Sequence, residues 1–403
     1  NIKGVTLVKV ITDTNHFGWG QISPYNSDIS TSVLHRQVSP FAINEDISDL
    51  ANLGNLLDRI YDKQHKFPGT YMCRALGGLD TAIWDLHGRI AEKPVCDLIS
   101  NCKSKSIQVY GSSMKRDITP EKELERFKKL NDSNGISAFK FRIGSEVGRN
   151  NDEWEGRTEK IVTTMGKNLK NSKLLVDANS CYTPEKAIEV GKLLEDNGVI
   201  HYEEPCPYWE HDWTKEVKEK LKIDVAGGEQ DNNLTVFRKY IDEKIVNIIQ
   251  PDILYLGGIE RSLRVAKYAE ENNMICTPHA ANMSLVTIFT LHLLAAIENA
   301  GPYLEYSIEG EDFYPWQNNI YYDYPNSSRT ALKNISLSIP INTTVGFVGA
   351  TGSGKTTTVD IILGLLEPQK GTLEIDEKKN YQTKFCGMAK IHRLCTSVYL
   401  SIR

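Results

Sequence analysis

The sequence predicts an α/β fold in which parallel strands alternate with helices and close into a barrel. Three observations carry that expectation. Between residues 105 and 315, short apolar runs alternate with amphipathic stretches: Ala138–Ile143, Lys173–Asp177, Ile200–Glu203, Ile223–Ala226, Val246–Gln250, Met274–Cys276 and Tyr303–Glu305. Strand followed by helix, repeated, demands parallel pairing. The runs end on or near Arg142, Asp177, Glu203, Glu229, Asp252, His279 and Glu305, at steps of 35, 26, 26, 23, 27 and 26 residues. A strand–helix unit of that length, repeated around a closed sheet, sets every such group at the C-terminal rim, where barrels of this kind keep their active sites.

The elements on either side differ in pattern. Residues 1–104 open on one strand-like run, Gly4–Ile11, and continue into helices. Leu76, Leu79, Ile83, Leu86 and Ile90 recur at steps of three and four as one apolar stripe, with Pro94 beyond its end. The chain begins on Asn1 without an initiator Met or a secretory signal, as though sequence upstream had been cut away. Eight cysteines show no CxxC, which reads as reduced thiols in a cytoplasmic protein. A net charge of −5 over 403 residues argues against a protein held to nucleic acid by overall charge. No apolar run reaches the ~18 residues of a membrane span.

Asp177 in Val-Asp-Ala-Asn179, Glu203 in Tyr-Glu-Glu-Pro205 and Glu229 in Gly-Gly-Glu-Gln230 fall on consecutive barrel strands. Their carboxylates should converge, and three anions do not share a pocket without a cation. All-oxygen ligation with open positions suits Mg²⁺. Asp252, in Gln-Pro-Asp-Ile253, and His279, in Thr-Pro-His-Ala280, belong to neighbouring strands. Asp252 is then placed to accept a hydrogen bond from one ring nitrogen of His279 and raise the basicity of the other.

Together with Leu79-Asp-Thr-Ala-Ile-Trp-Asp-Leu86, these motifs resemble the enolase superfamily, in its mandelate racemase-like subgroup, over roughly residues 1–315. The resemblance implies a (β/α)7β TIM-like barrel under an α+β capping domain, with Mg²⁺ on Asp177, Glu203 and Glu229. It implies a reaction that begins with removal of the proton α to a carboxylate, the metal holding the enediolate. The family's second base sits in a Lys-x-Lys pair, which here reads Lys140-Phe-Arg142. Alternation turns both side chains into the barrel. A guanidinium is a poor proton acceptor, so Arg142 is assigned to holding the substrate carboxylate or the enediolate oxygens. Lys140 shares that role, or serves as a base if its pKa is depressed. Glu305 resembles the family's acid beside the enolate oxygen and, if protonated, would donate a hydrogen bond there.

A racemase needs competent groups on both faces of the α-carbon, whereas a dehydratase manages with His279 alone. The expectation is therefore a Mg²⁺-dependent hydro-lyase acting on an acid sugar, an aldonate or aldarate. A racemase or epimerase of a hydroxy acid is the alternative within the class. A homo-oligomer is expected from the family's symmetric assembly.

Beyond Thr330 the pattern changes. Gly349-Ala-Thr-Gly-Ser-Gly-Lys-Thr356 is GxxxxGKT, preceded by the apolar run Val345–Val348 and followed by a helix-like stretch. Gly349, Gly352, Gly354, Lys355 and Thr356 are the expected phosphate-binding residues for ATP. The stretch resembles the opening of an ABC-transporter ATPase, so an ATP-binding transport component or a chimeric gene product is a further alternative. No LSGGQ-type segment or Walker B strand follows Asp376, and no ATP hydrolysis is expected. The expected organisation is a cap at 1–104, truncated at its N-terminal end, and a barrel at 105–325 without its usual closing strands. A partial P-loop α/β segment follows at 326–376, then an unassigned tail at 377–403.

Overall fold

A computed structural model describes residues 5–100, 106–310, 313–314, 374–375 and 378–379. The chain divides into two compact units, Asn1–Gln317 and Asn318–Arg403. In the second, the described residues form one short antiparallel pair, Glu374–Ile375 against Lys378–Lys379. The phosphate-loop residues Gly349, Gly352, Gly354, Lys355 and Thr356 lie outside the described residues.

The first unit begins with an antiparallel hairpin, β1 (Thr6–Ile11) and β2 (Phe17–Ile22), laid on the helix Thr70–Ala91. Glycines at 18 and 20 permit that closeness. A Cβ on Gly20 would run into the backbone of Gly78 and Ala82, and one on Gly18 into Ala82 and Leu86. Leu76, Leu79, Ile83 and Leu86 are buried, but Ile90 is 50% exposed, which corrects the extent of the apolar stripe. β2 meets the helix as far as Leu86, and Ile90 lies one turn further on.

Eight parallel strands follow: β3 (Gln108–Ser112), β4 (Ala138–Arg142), β5 (Lys173–Asp177), β6 (Val199–Glu203), β7 (Asp224–Gly227), β8 (Ile248–Ile249), β9 (Ile275–Cys276) and β10 (Tyr303–Ser307). Each joins the next through a helix: Pro120–Asn134, Arg157–Asn168, Pro184–Asp196, His211–Lys220, Leu234–Asp242, Ile259–Glu271 and Leu285–Ala296. The order is that of a (β/α)7β barrel. β10 pairs with β3, and between β9 and the chain entering β10 the ring closes through two bonds of 3.0 Å. In these, Cys276 N–H donates to the Asn299 carbonyl and Gly301 N–H to the Cys276 carbonyl.

Strand alternation sorts the side chains. Phe139 and Phe141 turn outwards and are fully buried, Phe139 stacking on Phe127 of the helix Pro120–Asn134 with centroids 4.6 Å apart. Inside, Tyr110, Ala138 and Leu175 pack together as an apolar layer. Lys140 lies 5.2 Å from the Tyr110 ring centre.

The helix Thr70–Ala91 is tied to the barrel by Asp80, fully buried. Its carboxylate accepts from the N–H groups of Ile259 (2.5 Å) and Glu260 (3.2 Å), at the start of the helix Ile259–Glu271. Carboxylates are stabilising at a helix N-terminus, where N–H groups lack partners. Asp80→Ala strands both donors and should cost about 2 kcal/mol in urea unfolding. Asp80→Asn, which retains an acceptor, should cost less.

Candidate active site

Asp177 and Glu203 end β5 and β6, and Glu229 stands two residues past β7. All three are buried, and one carboxylate oxygen from each lies within 4.8 Å of the others. Left-handed backbone at Asn179 (φ 39°) and Glu204 (φ 41°) turns the chain sharply just beyond Asp177 and Glu203. Asparagine tolerates that region; for Glu204 it is strained, as backbones at functional sites often are. The turn lets Asn179 N–H donate to Asp177 Oδ1 at 2.7 Å.

Each carboxylate has its own surroundings. Glu203 accepts from Lys140 Nζ at 2.9 and 2.8 Å and from Gln250 Nε2 at 3.1 Å. Burial pushes its pKa up, but Lys140, with His201 and Arg142, holds it well below the ordinary carboxylate value. Asp177 Oδ2 touches the Arg142 guanidinium. Among the described residues Glu229 makes no ion pair with a lysine or arginine. Burial and the charge of Glu203 outweigh His279 and raise its pKa to about 7. Its Oε2 is buried and accepts no hydrogen bond. An all-oxygen cluster with one unsatisfied carboxylate oxygen fits a hard divalent cation such as Mg²⁺.

Opposite stands His279. β8 and β9 resume pairing past their regular ladder, where Asp252 and His279 form a parallel bridge. His279 Nδ1 lies 2.8 Å from Asp252 Oδ2, while Asp252 Oδ1 accepts from Leu254 N–H (2.8 Å) and Tyr255 N–H (3.0 Å). A carboxylate fixed at both oxygens orients the imidazole and selects Nδ1 as its protonated nitrogen. Nε2 then faces Glu229 Oε2 at 3.2 Å and Glu305 Oε2 at 3.7 Å. Burial works against an imidazolium, yet the carboxylates of Glu229, Glu305 and Asp252 lift the pKa to about 10.

Lys140, Glu305 and Arg142 each meet protein partners in the barrel. Lys140 is fully buried and grips Glu203 at 2.8 Å and Glu305 at 2.7 Å. Those two anions overcome burial and raise its pKa well above the ordinary lysine value. Glu305 sits mid-strand rather than at a strand end, accepting from Ser112 Oγ (2.8 Å) and Ala280 N–H (3.2 Å). Burial raises its pKa, but Lys140 and His279 more than offset this and hold it below the ordinary carboxylate value. Arg142, placed in the barrel as alternation required, bonds Asp177, Asn179 Oδ1 (2.8 Å) and the Ser113 carbonyl (3.2 Å). Its guanidinium is thus engaged by protein groups.

Several residues here carried no expected role. His201, two residues before Glu203 and on the same strand face, lies 3.4 Å from Glu203 Oε2; period-two alternation was its available signal. Asn179, Gln250 and Ser112 hold site carboxylates or arginines, and nothing in their spacing announces this.

Comparisons with known proteins place the chain among others. Residues 122–327 match the family model "Enolase C-terminal domain-like". Residues 3–100 match "Mandelate racemase / muconate lactonizing enzyme, N-terminal domain", and residues 332–396 match "ABC transporter". The chain is 26% identical over 319 residues to arabinonate dehydratase of Saccharolobus solfataricus, covering 76% of this chain and 80% of that one. A solved structure of a candidate racemase from Roseobacter denitrificans is 55% identical, with a TM-score of 0.76 and coverage of 78% and 85%. A mandelate racemase/muconate lactonizing protein from Paracoccus denitrificans, complexed with magnesium, is 23% identical with a TM-score of 0.69, over 75% and 81% of the two chains. No helix among the described residues is long and apolar enough to cross a membrane.

Proposed function

We infer that this chain, which belongs to the mandelate racemase/muconate lactonizing branch of the enolase superfamily, is a Mg²⁺-dependent hydro-lyase that dehydrates an acid sugar. The observation that carries this reading is the fixing of Lys140 between Glu203 and Glu305. With Arg142 also engaged by protein groups, His279 is, among these described residues, the group placed to take a proton. One base suffices for elimination of water, whereas inversion at carbon needs a second proton carrier on the opposite face.

Asp177, Glu203 and Glu229 would hold the cation, which supplies the positive charge that makes the proton α to a carboxylate acidic enough to remove. His279 Nε2 accepts that proton, Asp252 steadies the imidazolium through Nδ1–H, and the same Nε2–H is then available to the departing hydroxide. Lys140 keeps its ammonium beside the reacting carboxylate and fixes Glu203 and Glu305. The name of the Saccharolobus relative agrees with elimination, that of the Roseobacter structure with racemisation. In this reading residues 1–104 are the cap and 105–325 the barrel. Residues 326–376 are a partial ATPase segment without a hydrolytic site, followed by a tail at 377–403.

A panel of aldonates and aldarates incubated with protein and Mg²⁺ should yield 2-keto acid, read as its semicarbazone, without accumulation of an inverted acid. Inverted acid without keto product would replace the dehydratase with the racemase. Asp252→Asn should keep the fold but lower kcat about 100-fold, with a shifted pH profile, because the imidazole loses its fixed tautomer.

A further inference from the structure

Arg74 lies in the first turns of the helix Thr70–Ala91, 8% exposed, with no carboxylate among the described residues within ion-pairing distance. Buried arginines are ordinarily paired. This one donates through Nη1 to Ser23 Oγ and lies 3.8 Å above the ring of Tyr255, while its Nε is buried without any hydrogen-bond partner. The face it occupies is that of the candidate active site. The Tyr255 ring is 6.0 Å from the His279 ring, so guanidinium and imidazole flank one tyrosine. A guanidinium that no carboxylate among the described residues neutralises, and whose Nε is unpartnered, is a receptor for a carboxylate.

We propose that Arg74 binds a second carboxylate at the far end of the substrate, making the enzyme selective for sugar diacids over monoacids. The acid at the reacting end would belong to the cation held by Asp177, Glu203 and Glu229. An aldarate presents another acid several carbons away, where a monoacid presents only a neutral hydroxymethyl group. This deepens the dehydratase reading, and it rests on that reading for what happens after binding.

The test therefore separates binding from turnover. With Mg²⁺ present, calorimetry should show galactarate binding more tightly than galactonate, which shares its stereochemistry. Arg74→Gln should weaken galactarate binding about 10- to 100-fold, the loss of a charge-assisted pair, and at least tenfold more than it weakens galactonate. Arg74→Lys should recover part of the difference, and thermal unfolding of both variants checks that they are folded. Equal weakening of both acids, or no preference in the unaltered protein, overturns the diacid subsite even if keto acid forms. Arg74-dependent galactarate binding without keto acid would uphold the subsite and remove the dehydratase. Should both variants fail to fold, the galactarate preference of the unaltered protein decides alone.

Discussion

His279→Asn should lower turnover at least about 1,000-fold while the protein continues to bind Mg²⁺. The imidazole is held by Asp252 at one nitrogen and presents the other to the space beside Glu229 and Glu305. Asparagine fills part of that volume and can still donate to Asp252, but it cannot accept a proton. Lys140 cannot take over, being clamped as an ammonium by two carboxylates. The pH profile should agree. A base must be unprotonated to act, so kcat/KM should rise with pH through the pKa of the imidazole. In the metal-free arrangement that pKa is near 10, with Glu229 chief among the charges that raise it. Once a cation engages the Glu229 carboxylate, the midpoint should fall below 10, and further as Mg²⁺ is raised towards saturation. Activity within tenfold of normal in His279→Asn would place the base elsewhere. A midpoint indifferent to Mg²⁺ would uncouple His279 from the triad.

What could be read from the sequence, and what could not, follows the range of the forces involved. Asp177, Glu203 and Glu229 were legible because the repeat of the strand–helix unit dictates where rim residues meet, and spacing records that repeat directly. Asp252 and His279 were legible for the same reason. The first barrel strand, Gln108–Ser112, was not, because Val-Tyr-Gly-Ser is short of apolar residues and ends on no ionisable group. β2 was missed similarly: Phe-Gly-Trp-Gly spends its alternate positions on glycine so that a helix can approach. β8 and β9 are only two residues long as regular strands, since proline at 251 and 278 interrupts the ladder after them. The state of Lys140 and Glu305 depends on which side chains face each other across the barrel, contacts between residues on separate strands. Local pattern carries no record of that. Arg74 did leave a trace, as a charged residue between Cys73 and Ala75 in a mostly apolar helix.

Glu229→Gln should make the metal-free protein more stable at pH 8 and inactive at any Mg²⁺ concentration. The substitution keeps the shape of the side chain and removes its charge. In the metal-free protein that charge is a liability: burial and Glu203 raise the carboxyl from the ordinary 4.5 to about 7. A carboxyl whose pKa is higher in the folded state contributes stability that is fully present below 4.5 and lost as pH rises through about 7. Glutamine suffers no such loss, so the gain at pH 8 should be on the order of 2 kcal/mol and should shrink towards zero at pH 5. Removing the carboxylate also removes the group that most raises the His279 pKa. That leaves the imidazole unprotonated at lower pH, yet the variant should stay inactive, because the α-proton is no longer acidified. The same carboxylate that destabilises the metal-free fold should be the one that binding rewards. Mg²⁺ should raise the melting temperature of the unaltered protein and leave that of Glu229→Gln nearly unchanged. If the variant melts lower than the unaltered protein at pH 8 without metal, the three carboxylates are not straining against one another. If it still gains stability from Mg²⁺ to the full extent, Glu229 is not a ligand, and the cation sits on some other set of oxygens.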